Sequence, residues 1–405
     1  MDRKRKIQIR NSVVASILFA AVLIGVAVFL LKNPDMLEEN FEPIELPFNA
    51  TPIIDMSTAK APNGDCFKSC DLSVPTKPFK VRGIYIAPSA IRNEEKMNAL
   101  IDYAHRNDVN TFVIDIKDDY GNIVYPSIVK EVISLGANEE VYIDDISKLL
   151  KRLDDENIYP IARIVCFRDS RAGRNPKLAV KNSKGEPWRD GGKNNWLNPY
   201  NSEAREYLIS VMKEAAVKGF REIQLDYVRF PSEGRLSDIS YEESSGIDKS
   251  ETIENFISEA REALRGIEIS IDSFGMITSV RGDLGIGQDL TELSKVSDLL
   301  CPMVYPSHYQ RGNYNLDYPD SMPYEVVYGA MKDAKERIEK LDFPEKARLR
   351  PWLQAFTAGW LKKSYGSHFI KYGTEELNLQ IKACSDLEID EWMLWNAASN
   401  YPELK

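Results

Sequence analysis

From Lys80 onward the chain alternates strand-like and helix-like stretches without a break in rhythm, and this constrains its fold more than any single motif. Apolar and β-branched runs at 81–87, 111–117, 159–167, 267–274, 298–306, 348–356 and 391–397 predict strands, and "REIQLDYVRFPSEG" (221–234) supplies one more. Apolar residues at helical spacing predict helices over 93–108, 144–158, 202–219, 250–266, near 289–297, 324–341 and 374–385. Eight strands, all but the last followed by a helix, in roughly 325 residues fit an α/β (β/α)8 TIM barrel. An open doubly wound sheet is the rival, but no glycine fingerprint follows the first strand.

Loop lengths sharpen that expectation. Helix-to-strand links are short, whereas strand-to-helix links are long, about 35 residues after the third strand against the usual two to six. In a TIM barrel the long links gather at the C-terminal ends of the strands, where function sits. Strand residues alternate between interior and helix-facing sides. With Ile223, Leu225 and Tyr227 outward, Gln224 and Asp226 point inward; with Ile267, Ile269 and Ile271 outward, Ser270 and Asp272 do. The second strand likewise places Phe112, Ile114 and Ile116 outward, and Asp115 and Lys117 inward. Three strands thus aim a carboxylate at the same interior.

Such a set suits glycoside hydrolysis, in which one carboxyl protonates the leaving oxygen and another attacks or activates water. Asp226 and Asp272, on adjacent strands, form the natural catalytic pair, with Asp226 as nucleophile or base and Asp272 as acid. Asp115 takes either part or binds a sugar hydroxyl. The competing structural reading is a salt-bridged interior layer in which Lys117, Arg163 or Arg229 neutralises the aspartates. Further substrate-binding candidates are Trp352 and Trp395 for ring stacking, Gln224, Gln354 and Asn396 for hydrogen bonding, and Tyr305 and His308 after the sixth strand. Trp196 and Asn198 in the long third loop are candidates for the rim, and Arg229 for a partner of substrate or aspartate.

No metal site and no cofactor is expected. The chain has three histidines, with neither H-x-H nor H-E-x-x-H, and it lacks a G-x-S-x-G elbow. A divalent cation held by the aspartates is the weakest of the hydrolase readings. A formal net charge of -10 argues against nucleic acid as a partner.

The N-terminus is a separate physical object. A basic segment (1–12, "MDRKRKIQIR" onward) precedes an uncharged apolar run from Val13 to Leu31, about 19 residues and just long enough to cross a bilayer. Basic residues before the run and acidic ones after it predict a single-pass cell-membrane anchor with a cytoplasmic N-terminus. Residues 32–79 are proline-rich and predict an extracellular tether, followed by the barrel domain at 80–405. Cys66 and Cys70 either close a small disulfide or stay as thiols, "NAT" at Asn49 is a glycosylation sequon, and Cys166, Cys301 and Cys384 suit core positions.

Seven segments in order, "VIDIKDDYGNIVY", "WLNPYN", "EIQLDYVRFPSEG", "SIDSFG", "PMVYPSHY", "RPWLQAF" and "WMLWNAASNY", resemble a bacterial family of glycoside-hydrolase-like barrels long classed as a domain of unknown function. The resemblance spans about residues 80–402 and extends distantly to α-amylase and α-galactosidase barrels. It implies a nucleophile at the end of the fourth strand, here Asp226. Amylase-like relatives carry a glutamate acid at the end of the fifth strand, where this chain has Asp272. The expectation is therefore an anchored, outward-facing glycosidase of a cell-envelope or extracellular polysaccharide; the alternative is a non-catalytic carbohydrate-binding surface protein on the same scaffold.

Overall fold

The eight expected strands close on themselves. In the computed structural model, which describes Lys77 and residues 80–404 apart from 242, 243 and 245, β1 (Arg82–Ile86), β2 (Thr111–Lys117), β3 (Tyr159–Val165), β4 (Glu222–Asp226), β5 (Glu268–Phe274) and β6 (Leu299–Met303) pair in that order, each parallel to the next. The last strand, β8 (Trp392–Trp395), returns parallel to β1 with Arg82 opposite Trp392, so the sheet has no free edge there. The predicted basic segment, membrane span and nearly all of the tether, with Asn49, Cys66 and Cys70, lie outside the described residues. Among the described residues no helix is long and apolar enough to cross a membrane.

The seventh strand departs from expectation. The run at 348–356 reads as one strand but forms two pieces, Arg348–Leu349 and Trp352–Gln354, which together make β7. Pro351 between them has no N–H to give a ladder. The first piece pairs with Leu299 and Leu300 of β6, and Trp352 pairs with Met303 beyond the gap, so β6 and β7 still seal the barrel.

Helices α1 (Glu94–Arg106), α2 (Ile146–Asp155), α3 (Ser202–Lys218), α4 (Lys249–Ala263), α5 (Leu290–Val296), α6 (Pro323–Glu339) and α7 (Thr374–Ser385) follow the first seven strands. Five of them open on a side chain that takes up free N–H groups of the first turn: Asn93, Asp145, Asn201, Asp248 and Asp289. α6 instead begins with Pro323, whose missing N–H costs nothing at that position. Ile223 and Leu225 of β4 and Ile269 and Ile271 of β5 are fully buried between barrel and helices. Cys166, Cys301 and Cys384 are buried free thiols.

The barrel interior is layered by charge. At its N-terminal end, the floor, Arg350 forms a two-pronged ion pair with Glu222, both side chains wholly buried. Lys77, where the chain enters, pairs with Glu268 and lies 3.9 Å from Glu222. The C-terminal residues come back to the same end along α1: the Tyr103 hydroxyl donates to the Pro402 carbonyl (2.9 Å) and the Leu404 amide to Asn107 (2.6 Å). Midway up, Gln224 donates to the Met393 sulfur at 3.5 Å. Above it stand the aspartates.

The long third loop is folded rather than slack. Isolated antiparallel bridges join Arg168 to Trp196, Ala179 to Leu197 and Arg189 to Asn195, and a two-residue ladder ties Lys181–Asn182 to Ile239–Ser240 of the fourth loop. The two loops meet backbone to backbone at Gly234, whose φ of +92° and whose Cβ position, 2.9 Å from the Gly191 nitrogen, both require glycine.

Candidate active site

One guanidinium organises the barrel mouth. Arg163 extends from β3 into the interior and donates through Nη1 to Asp115 Oδ1 (2.6 Å) and through Nε and Nη2 to Asp226 Oδ2 (3.0 and 2.5 Å). It sits opposite Asp115 in the β2–β3 register and one strand from Asp226, so strand pairing alone brings the three together. Its planar face lies against Trp395 and Tyr85, at 5.2 and 5.7 Å from the ring centres. The Tyr85 hydroxyl donates to the other oxygen of Asp115 at 2.6 Å. Burial pushes the Asp115 carboxyl up to about 6 despite the opposing pull of Arg163.

Asp226 and Asp272 stand side by side in different surroundings. Asp226 has one oxygen on Arg163, while the other accepts the Tyr227 N–H at 2.6 Å. Tyr227 holds a left-handed φ of 49°, uncommon for a bulky residue, at the point where β4 ends. Asp272, one step beyond the Leu225–Ile271 pair on β5, has no ion-pair partner among the described residues; the Trp352 indole N–H donates to its Oδ1 at 2.7 Å. Burial, reinforced by the negative charge of Asp226, holds the Asp272 carboxyl well above the usual carboxylate range. Of these neighbouring carboxyls, one is held by an arginine and the other by an uncharged indole N–H.

Tyr305 closes the side of the mouth next to β6. Burial raises its phenol well above the ordinary value, and the charges of Asp272 and Asp226 add to that. Trp395 is half-buried, packs on Tyr85 at 4.2 Å and meets Trp352 edge-on at 5.6 Å. His308 is on the exposed rim, beside Tyr305, Phe356 and Trp360.

Other sequence candidates are placed elsewhere or are already engaged. Lys117 does not point inward: the register shifts between Asp115 and Lys117, so Lys117 lies opposite Ile164 on the helix-facing side. There it is fully buried, donates to the Val165 carbonyl and pairs with Asp169 at 2.8 Å. Gln354 is buried with its oxygen on the Ser307 N–H and its nitrogen on Asp320 and the Phe356 carbonyl. Asn396 donates to the Ala355 carbonyl and accepts the Ala398 N–H, shaping the turn after β8. Asn198 accepts the Tyr200 N–H, and Gln224 sits below the aspartates. Trp196 is buried with its N–H on Asp190 (3.1 Å), facing Arg229.

Of the three cations considered as partners for the aspartates, only Arg163 takes that place. Tyr85, Asp119 and Trp360 went unnoticed in the sequence. Asp119 lies 3.8 Å from Arg163 and 3.4 Å from Arg168, and its place in "IKDDYGN" just past β2 was the available signal. Among the described residues no group of three or more His, Cys, Asp or Glu is arranged to hold a metal ion. A flank hollow of about 480 Å³ is lined by Asp248, Asp283 and Asp289, but these carboxylates accept backbone N–H groups of their own turns and helices.

A family profile described as "Putative glycosyl hydrolase domain" matches residues 83–401. A hypothetical protein from Ruminiclostridium thermocellum is 38% identical over 47% of this chain and 96% of its own, with a TM-score of 0.43. The glycoside hydrolase domain of PgaB (BpsB) from Bordetella bronchiseptica shares the fold at a TM-score of 0.51 and 12% identity, over 79% of this chain and 95% of that one. An α-galactosidase from Thermus thermophilus aligns over 82% of this chain and 60% of its own at 11% identity and a TM-score of 0.48. A comparison with curated proteins returns no match.

Proposed function

Because the chain belongs to the family described as "Putative glycosyl hydrolase domain", we propose that it is a glycosidase whose Asp272 protonates the leaving glycosidic oxygen while Asp226 attacks the anomeric carbon or activates the water that does. The observation carrying this reading is the contrast between two neighbouring carboxyls, Asp226 on Arg163 and Asp272 on an uncharged indole N–H. A buried carboxyl held well above the usual carboxylate range is suited to act as a general acid. Arg163 fixes the Asp226 carboxylate and balances the charge shared with Asp115, and Trp395 and Tyr305 line the space where a sugar ring would lie. The basic segment and apolar run at 1–31 favour an anchored enzyme whose barrel faces outward, onto a cell-envelope or extracellular polysaccharide.

Release of reducing sugar from a polysaccharide panel tests the reading. Asp226→Asn and Asp272→Asn variants with wild-type melting temperatures should each lose about 10²–10⁴-fold in rate. Unchanged rates in both would remove it. A second reading, a non-catalytic carbohydrate-binding protein, rests on the fact that Asp226 already has a cation partner in Arg163. It requires glycan binding by the unsubstituted protein with no sugar released.

A further inference from the structure

Three arginines of the described chain are nearly or wholly buried, and one of them lacks a carboxylate. Arg163 has Asp115 and Asp226, and Arg350 has Glu222. Arg229, only 5% exposed, has no carboxylate within ion-pair distance among the described residues. Buried charges in proteins are ordinarily paired, so this exception needs a physical account.

The surroundings of Arg229 are built to hold its guanidinium flat and leave one edge unused. The ring centres of Phe274, Trp196 and Tyr227 lie 4.5, 5.0 and 5.0 Å from its central carbon. These rings come from the end of β5, the third loop and the end of β4, so three separate elements converge on one side chain. Nη1 donates to the Phe230 carbonyl (2.9 Å) and to Ser232 Oγ (3.2 Å), which fixes that end. Nε and Nη2 have no acceptor among the described residues, and neither is among the sealed, unsatisfied polar atoms of the interior. They form the side-on edge of the guanidinium, the edge with which Arg163 grips Asp226 in this same barrel. Burial also draws the ionisation of Arg229 below the ordinary arginine value, as expected of a cation short of partners.

That open edge lies at the mouth, three residues past Asp226 and flanked by Phe274, two residues past Asp272. Two parallel N–H groups in a fixed plane match a carboxylate. We infer that the Nε–Nη2 edge of Arg229 receives a carboxylate carried by the sugar, so that the substrate is an acidic, uronate-type polysaccharide. This inference rests on the proposed glycosidase reading for the word substrate, but not for the binding event.

Binding separates the two. The full chain is titrated with glucuronate-, galacturonate- and mannuronate-containing polysaccharides, with the carboxyl-reduced form of each and with a sulfated neutral polymer. At least one carboxylated polymer should bind about tenfold or more tightly than its reduced form, consistent with hydrogen bonds to a charged group. Arg229→Gln should abolish that preference, and Arg229→Lys, which keeps the charge but loses the fork, should restore only part of it. Asp272→Asn should keep the preference while losing hydrolysis, so a failure of catalysis does not touch this result. Equal binding of carboxylated and reduced forms by the unsubstituted protein overturns the inference without any variant having to fold. Stronger binding of the sulfated polymer than of every uronate, or an intact preference in folded Arg229→Gln, overturns it as well.

Discussion

At the scale of single residues, Trp352 shows how a packing side chain can set a charge. Its indole fills the interior between Trp395 and β6, yet its N–H is the hydrogen-bond donor seen on Asp272. That bond favours the ionised carboxyl, against burial and the charge of Asp226, which favour the proton. Trp352→Phe removes a stabiliser of the charged form, so the Asp272 pKa rises further and the acid stays protonated to higher pH. The alkaline limb of the kcat/KM profile should accordingly move to higher pH in a folded Trp352→Phe protein; a limb that stays put or moves down would break the link. Positions such as Asp226 and Asp272 were legible because alternation along a strand is a local property. Lys117 was misread for the same reason. A one-residue register shift against β3 turned it to the other side, and register depends on a partner strand far away in sequence. Gln354 and Asn396 were legible as polar strand-end residues, but not as the scaffolding of their loops, since their partners lie across the fold.

At the scale of elements, the interrupted β7 places Arg350 at its gap, where the side chain reaches across the floor to Glu222 on β4. Removing one member of a buried pair leaves the other charged and desolvated, at a cost of about 3–5 kcal/mol. Arg350→Met should lower the unfolding free energy in urea by that amount. Arg350→Met combined with Glu222→Leu should recover most of the loss, because no orphan charge remains. A single variant within about 1 kcal/mol of the parent would show the pair to be of little consequence. The eight strands and seven principal helices could be read from periodicity, whereas the stitching of the third and fourth loops through Gly191 and Gly234 could not. Backbone contacts between distant loops leave no periodic trace, only a pair of glycines that also suits an ordinary turn.

At the scale of the whole molecule, the barrel separates its tasks along its axis. Floor charges pair with each other and with Lys77; mouth charges are shared among Arg163, Asp115 and Asp226, with Asp272 and Arg229 left without an ionic partner among the described residues. The long loops all leave from the mouth, and the long-loop asymmetry in the sequence had pointed to that face. The chain enters beside Glu268 and its last described residues return to Asn107, so both ends of the barrel lie at the floor. An array of these barrels held at the floor on a solid support would therefore turn every mouth toward the bulk phase. A long polymer could thread past many copies in turn without a linker ever crossing its path.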